Sequence, residues 1–279
     1  MSTVQIASTL DYVITSPTQF IFNIAATMND YQVIQNEQLT LTPYYPYEAY
    51  TLGHPANRYI RFAAPVGTLR IDYQASVQLC HTLDRSQFVN DVPYLSLPPS
   101  ILTYLSPSRY CESDRLGRLV TKLFGTVPRG YQKVKAVCDW VYDNIAYIPG
   151  STNSSSSSAD VLVQRAGVCR DFAHLGIALC RALGIPARYV AVYAPGLEPP
   201  SDFHGVFEAY LNGRWYLFDA SRMAPIGSLV RISTGHDASD ASFATMVGTA
   251  NLVSMVVNAY DTTPSNTPSM DFAISTSVE

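Results

Sequence analysis

Apolar residues alternate with other positions in two stretches of the first hundred residues. Phe20, Phe22, Ile24, Ala26 and Met28 make one series, and Leu69, Ile71, Tyr73, Ala75, Val77 and Leu79 the other. A period of two puts every second side chain on one face of a strand. Tyr- and Pro-rich turns lie between them, from Pro43 to Pro46 and at Gly53-His54-Pro55. Residues 1–105 are therefore predicted to form an antiparallel β domain, a small sheet or sandwich. The stretch from Leu97-Pro98-Pro99 to Pro107 reads as a join.

Beyond the join the period lengthens. Ser113-Asp114 is placed to cap a helix carrying Leu116, Leu119, Val120 and Leu123, closed by Gly125. Val134, Val137, Cys138, Val141 and Ile145 predict a second helix at about 131–146. Gly150 to Ser158 is a low-complexity run whose composition predicts a flexible loop. The strongest helix follows, with Phe172, Leu175, Leu179 and Leu183 in register and Ile177 and Cys180 widening the stripe. Gly184 and Ile185-Pro186 end it.

The pattern then returns to strands. Residues 187–193 are one by composition, and His204 to Leu211 and Arg214 to Asp219 are two more, joined by Asn212-Gly213. Asn-Gly between such runs signals a tight hairpin. With those two residues as the turn, Leu211 pairs with Arg214, Val206 with Asp219 and His204 with Ser221. A helix over 241–247, capped from the loop holding His236, Asp237 and Asp240, and a strand over 252–260 complete the reading. Residues beyond Pro264 are polar and expected to be only partly ordered. The chain thus divides into an N-terminal β domain (1–105), an α+β core (106–250) and a C-terminal strand and tail (251–279).

The chemistry gathers around Gly167-Val168-Cys169-Arg170-Asp171-Phe172-Ala173-His174-Leu175. A cysteine at a helix start lies beside unpaired N–H groups and the positive end of the dipole, both favouring thiolate. The hairpin register makes His204 and Asp219 diagonal neighbours on one face, within side-chain reach. Thiol, imidazole and carboxylate then form a nucleophile, a base and an orienter of that base.

These stretches carry a resemblance. The Cys169 segment, the His204 strand with Phe207-Glu208-Ala209-Tyr210-Leu211, and Trp215-Tyr216-Leu217-Phe218-Asp219 resemble the transglutaminase-like superfamily. They look most like its bacterial cysteine-hydrolase branch, related in fold to papain-like proteases. Leu97-Pro98-Pro99, Pro107-Ser108-Arg109-Tyr110-Cys111 and Asp139-Trp140-Val141-Tyr142 extend the likeness over most of the chain. The resemblance implies Cys169 as nucleophile, His204 as general base and acid, and Asp219 as its orienter. It departs at Ala220, where many relatives carry proline. It implies cysteine-dependent acyl transfer on amide bonds, with peptidase or amidase hydrolysis expected. Cross-linking of glutamine to lysine and non-catalytic peptide binding are the alternatives.

Composition narrows the partners. With 47% hydrophobic and 14% charged residues the 279-residue chain can build a substantial core. A net charge of −4, without basic runs, argues for a peptide or protein substrate rather than nucleic acid or an anionic membrane. Five cysteines fit no zinc spacing, so neither metal nor cofactor is expected. Met1 to Gln5 lack the features of a signal peptide, and a cytoplasmic location is expected. Cys80, Cys111, Cys138 and Cys180 are read as structural thiols, and His54, His81 and His174 as structural or surface histidines. Asp171 is read as complementing the helix dipole, and Asp202 as a residue that could shape the pocket.

Overall fold

The computed structural model describes residues 2–53, 56–197, 202–262 and 271–277. His54 lies outside them. The N-terminal part is a sandwich of two four-stranded antiparallel sheets. One sheet runs Ala250–Asp261, Ser2–Ile14, Gly67–Leu79, Gln32–Thr42; the other runs Ala244–Val247, Thr18–Phe22, Asn57–Ala64, Glu48–Leu52. Alternation explains the packing. Leu69, Ile71, Tyr73, Ala75, Val77 and Leu79 all point inward and are buried, as are Phe20 and Phe22 opposite them. The Phe20–Phe22–Phe62 rings stack at 5.5–6.0 Å. The first alternating series leaves the strand after Phe22, and Met28 is exposed.

The second part is a six-stranded antiparallel sheet in the order Val230–Gly235, Ala187–Tyr193, His204–Leu211, Arg214–Phe218, Phe272–Ser277, Thr82–Arg85. Helices Gly117–Phe124, Tyr131–Asn144, Ser158–Gln164 and Cys169–Ala182 belong to the same core. The fold is α+β. Every residue of the Cys169 helix from Asp171 to Arg181 is buried, and it packs chiefly on the His204 strand. Burial on nearly all sides explains why its apolar stripe is so broad.

Several expectations change. The segments 1–105, 106–250 and 251–279 interleave in their strand pairing: 244–261 adds a strand to each sandwich sheet, and 82–85 edges the core sheet. No helix forms over 241–247, because Ala244–Val247 pairs with Thr18–Phe22 instead. The His236/Asp237/Asp240 loop closes on itself and its neighbours: Asp237 accepts from the Tyr110 and Ser239 N–H groups, and His236 Nδ1 lies 2.9 Å from Asp240. The first helix begins at Gly117 without a side-chain cap, since Ser113 lies in a preceding 3-10 turn.

Of the residues beyond Pro264 the structure describes 271–277, where Phe272–Ser277 is a strand, and the polarity of its end has a cause. Thr276 and Ser277 face a buried ion cluster: Arg188 Nε donates to Glu208 Oε2 at 2.8 Å, Arg231 pairs with the other carboxylate oxygen, Thr276 Oγ1 donates to Glu208 at 2.5 Å, and Arg188 reaches Ser277 Oγ at 3.0 Å. Hydroxyls are needed there because buried charges require partners.

Candidate active site

The backbone around Gly167 sets the site. Val168 is extended and the helix begins at Cys169, so the thiol stands in the first turn. Asp171 reaches back to the Val168 N–H at 2.9 Å, half of a capping box. Gly167 is required by this closeness rather than by an unusual turn: a Cβ there would lie 2.8 Å from the Asp171 Cβ. Gly205 plays the matching part on the strand, where a Cβ would crowd the Tyr189 hydroxyl and lie 3.2 Å from the Arg170 Cα. Gly167 thus leaves room for the Asp171 side chain at the helix start, and Gly205 lets the Cys169 helix and the His204 strand approach closely.

The hairpin has the predicted turn. Asn212 and Gly213 both have positive φ, Leu211 pairs with Arg214, and the ladder runs to Phe207–Phe218. Just past that ladder, His204 Nε2 lies 2.9 Å from Asp219 Oδ2. The other carboxylate oxygen accepts from the Ser221 N–H at 2.8 Å and the Ser221 hydroxyl at 2.6 Å. The Cys169 thiol is an electrostatic neighbour of His204. The structure therefore brings Cys169, His204 and Asp219 together at one site.

The electrostatics follow from burial and pairing. Burial disfavours the imidazolium, but the hydrogen bond to Asp219, with the neighbouring Cys169, outweighs it and pushes His204 up to about 10. Burial likewise opposes charge on Asp219. The His204 hydrogen bond and charge, with Ser221, prevail and hold its carboxyl below the usual range. The other buried thiols differ. Burial pushes Cys111 up to about 12 and raises Cys138 and Cys180 further, whereas Cys169 is partly accessible.

Two groups at the site were not legible in the sequence. Tyr147 lies on a two-residue strand, Ala146–Tyr147, paired in parallel with Ala166–Gly167. That pairing sets its hydroxyl against the thiol and backbone of Cys169, and burial followed by the neighbouring thiol pushes it up to about 12. No periodicity marks so short a strand. The other is the Ser-rich run, expected to be flexible, which is pinned. Thr152 Oγ1 donates to Asp171 at 2.5 Å, Arg170 donates to the Asn153 carbonyl at 3.1 Å, and Glu112 accepts from Ser157 and Ser158 at 2.7 and 2.8 Å. Its serines serve as hydrogen-bonding groups for buried turns rather than as a solvated linker.

The remaining candidates sort clearly. His174 Nε2 accepts from the Ala238 N–H at 3.0 Å, and the ring stacks on Tyr110 at 5.0 Å. Glu208 belongs to the arginine cluster. Asp202 borders the site, its charge felt at His204, Tyr147 and Tyr189. Among the described residues no group of three His, Cys, Asp or Glu could hold a metal.

Fold and site define a class: an α+β protein whose core lays a cysteine-bearing helix on an antiparallel sheet, with His on one strand and Asp just past the end of the next. The family model "Transglutaminase-like superfamily" matches residues 118–220, and "Bacterial transglutaminase, N-terminal domain" matches residues 3–100. A crystal structure from Cytophaga hutchinsonii, described as a "putative cysteine protease", is 43% identical, covers 98% of this chain and 97% of its own, and superposes with a TM-score of 0.93. The chain belongs to the transglutaminase-like superfamily. An uncharacterized protein of Mycobacterium leprae is 30% identical over 146 residues, 49% of this chain and 51% of its own. An uncharacterized protein of Mycobacterium tuberculosis H37Rv is 45% identical over 60 residues, 22% of this chain and 19% of its own. The chain thus matches at most about half the length of these mycobacterial relatives.

Proposed function

We propose that the protein hydrolyses amide bonds of a peptide or protein through a thioester on Cys169. The observation that carries this reading is the buried His204 ring, hydrogen-bonded to the Asp219 carboxylate and neighboured by the Cys169 thiol. The sulfur attacks the carbonyl carbon, and the charge passes to the carbonyl oxygen. The backbone N–H of Cys169 and the Tyr147 hydroxyl are the donors for that oxygen. The C–N bond then breaks as the imidazolium gives its proton to the leaving amine. A water, losing its proton to His204, attacks the thioester and releases the acid and the free thiol. Asp219 keeps the ring oriented and stabilises its cationic form.

The net charge of −4 supports a peptide rather than a nucleic acid as substrate. Five free cysteines among the described residues support a reducing compartment, hence the cytoplasm. Among the described residues no helix is long and apolar enough to cross a membrane.

The test is mass analysis of a casein digest with wild type and Cys169→Ala. New termini made only by wild type support hydrolysis. Cross-links without new termini would replace it with amine transfer, and neither product would leave peptide binding as the activity.

A further inference from the structure

The two sheets of the sandwich do not close along one flank. A cleft of about 600 Å³ opens between them, within the size range of ligand sites. Its floor is apolar: Phe22, Ile24 and Ile60 are at most 9% exposed, and Leu39 and Tyr73 line it from the facing sheet. Small residues leave the gap. Ala49 pairs with Ile60 and Thr51 with Arg58, so both point the same way as Ile60, which itself lies opposite Phe22. Neither is long enough to span the roughly 10 Å between packed sheets, and every residue of Glu48–Leu52 is exposed or half-buried.

The charges around the cleft are matched in pairs. Arg58 of one sheet grips Glu37 of the other at 2.6 and 2.8 Å, and the Tyr73 hydroxyl donates to Glu37 at 2.7 Å. Arg61 pairs with Glu48 at 2.7 Å. An entering charge gains no free counter-charge from these pairs, whereas an apolar side chain gains by burial.

The strand at the mouth decides the form of the occupant. Glu48–Leu52 is the last strand of its sheet, paired with Asn57–Ala64 on one side and, among the described residues, with no strand on the other. Such an edge is a template for one more strand. A strand added there continues the alternation, so every second side chain falls beside Ala49 and Thr51, into the cleft. Gln32–Thr42 ends the facing sheet, but its register shifts between Ile34 and Asn36, which makes it the less regular edge.

We propose that the cleft and the Glu48–Leu52 edge form a docking site for an extended, uncharged peptide segment, which adds as a strand and places a large apolar side chain between the two sheets. Cys169, His204 and Asp219 lie outside the lining, and binding there needs no chemistry at Cys169.

The experiment is an NMR titration of the full chain carrying Cys169→Ala, so that cleavage cannot consume the probe, with the blocked peptide acetyl-Thr-Phe-Thr-Val-Thr-amide. Shifts are expected at 47–52 and 58–60. Amide exchange within 48–52 should slow by roughly tenfold or more at saturation, the mark of an added strand. Replacing Phe by Asp in the peptide should weaken binding by roughly tenfold or more, the worth of one buried aromatic side chain. Ala49→Trp, at an exposed position, should fill the cleft and weaken binding similarly, with Tm near wild type. The Asp peptide needs no variant, so it decides even if Ala49→Trp fails to fold. Shifts confined to the surroundings of Cys169, binding without slowed exchange at 48–52, equal affinity for the two peptides, full affinity in folded Ala49→Trp, or no shifts at millimolar peptide each overturn the proposal. None of these readouts depends on catalysis, so a failure of the hydrolytic reading leaves them unmoved.

Discussion

The Thr152 hydroxyl donates to the Asp171 carboxylate at 2.5 Å, across nineteen positions of sequence. Asp171 also accepts from the Val168 N–H and from Arg170, so one buried carboxylate fixes the Ser-rich loop and the start of the Cys169 helix together. Removing the hydroxyl with Thr152→Val should cost about 1 kcal/mol, the net worth of one hydrogen bond. Asp171→Asn should cost more, roughly 1–3 kcal/mol, because the bonds it weakens are charge-assisted. Hydrogen exchange should accelerate over 150–157 in both variants, ahead of any global unfolding. Unchanged protection there would show that the loop is held elsewhere.

His204 owes its raised pKa to partners that overcome its burial. Asp219→Asn removes the carboxylate charge and should bring the imidazole down from about 10 towards its ordinary value. Turnover should fall by about two to four orders of magnitude, as the ring loses its orientation and its counter-charge. The His204 titration is read by NMR and the rate by peptide cleavage. An unmoved titration in Asp219→Asn would mean that the thiol alone holds the proton. With iodoacetamide, Cys169 should react ahead of Cys111, Cys138 and Cys180, which are buried with raised pKa values. His204→Ala should remove that lead.

How much of this was readable beforehand follows from the range of each interaction. The His204–Asp219 relationship is local: the Asn212-Gly213 turn fixes the ladder from Leu211–Arg214 to Phe207–Phe218, and parity carries the two side chains to one face. The helix beginning at Cys169 is local too, set by its apolar stripe and its stop at Gly184. The rest depends on distant partners. Phe272–Ser277 looks like a polar tail until Glu208 and the arginines are placed beside it. Ala244–Val247 has a helix-like prelude, yet pairing with Thr18–Phe22 overrides it. Tyr147 reaches Cys169 through a two-residue parallel pair that no pattern announces. Gly150 to Ser158 read as a flexible loop because composition cannot show Glu112 waiting to accept from Ser157 and Ser158.

Acid should destabilise the fold through His174. Burial pushes its pKa down to about 4, and its Nε2 already accepts the Ala238 N–H, a bond that protonation would abolish. The unfolded chain takes up this proton near pH 6.5, so it binds more protons than the folded chain between about 6.5 and 4. Stability from this group is therefore complete above 6.5 and is lost as pH falls towards 4, with a slope of up to ~1.4 kcal/mol per pH unit. His204 acts in the opposite sense: its contribution is full below 6.5 and is lost as pH rises through about 10. His174→Gln keeps an acceptor but cannot titrate, so urea midpoints between pH 7 and 4.5 should fall less steeply than in wild type. Parallel curves would show that His174 is not the group responsible.

Tyr147→Phe separates the proposed donor role from packing. The ring, 5.7 Å from that of Phe172, keeps its contacts, and only the hydroxyl beside Cys169 is lost. Loss of one donor to the developing oxyanion should lower kcat by about 10²–10³, while KM for a peptide changes little. Thermal stability should stay close to wild type, because the side chain is partly exposed. Alkylation of Cys169 forms no tetrahedral oxyanion, so its rate should be retained in the variant. A kcat equal to wild type would remove Tyr147 from the reaction. A parallel fall in kcat and alkylation would instead make it a residue that positions the thiol.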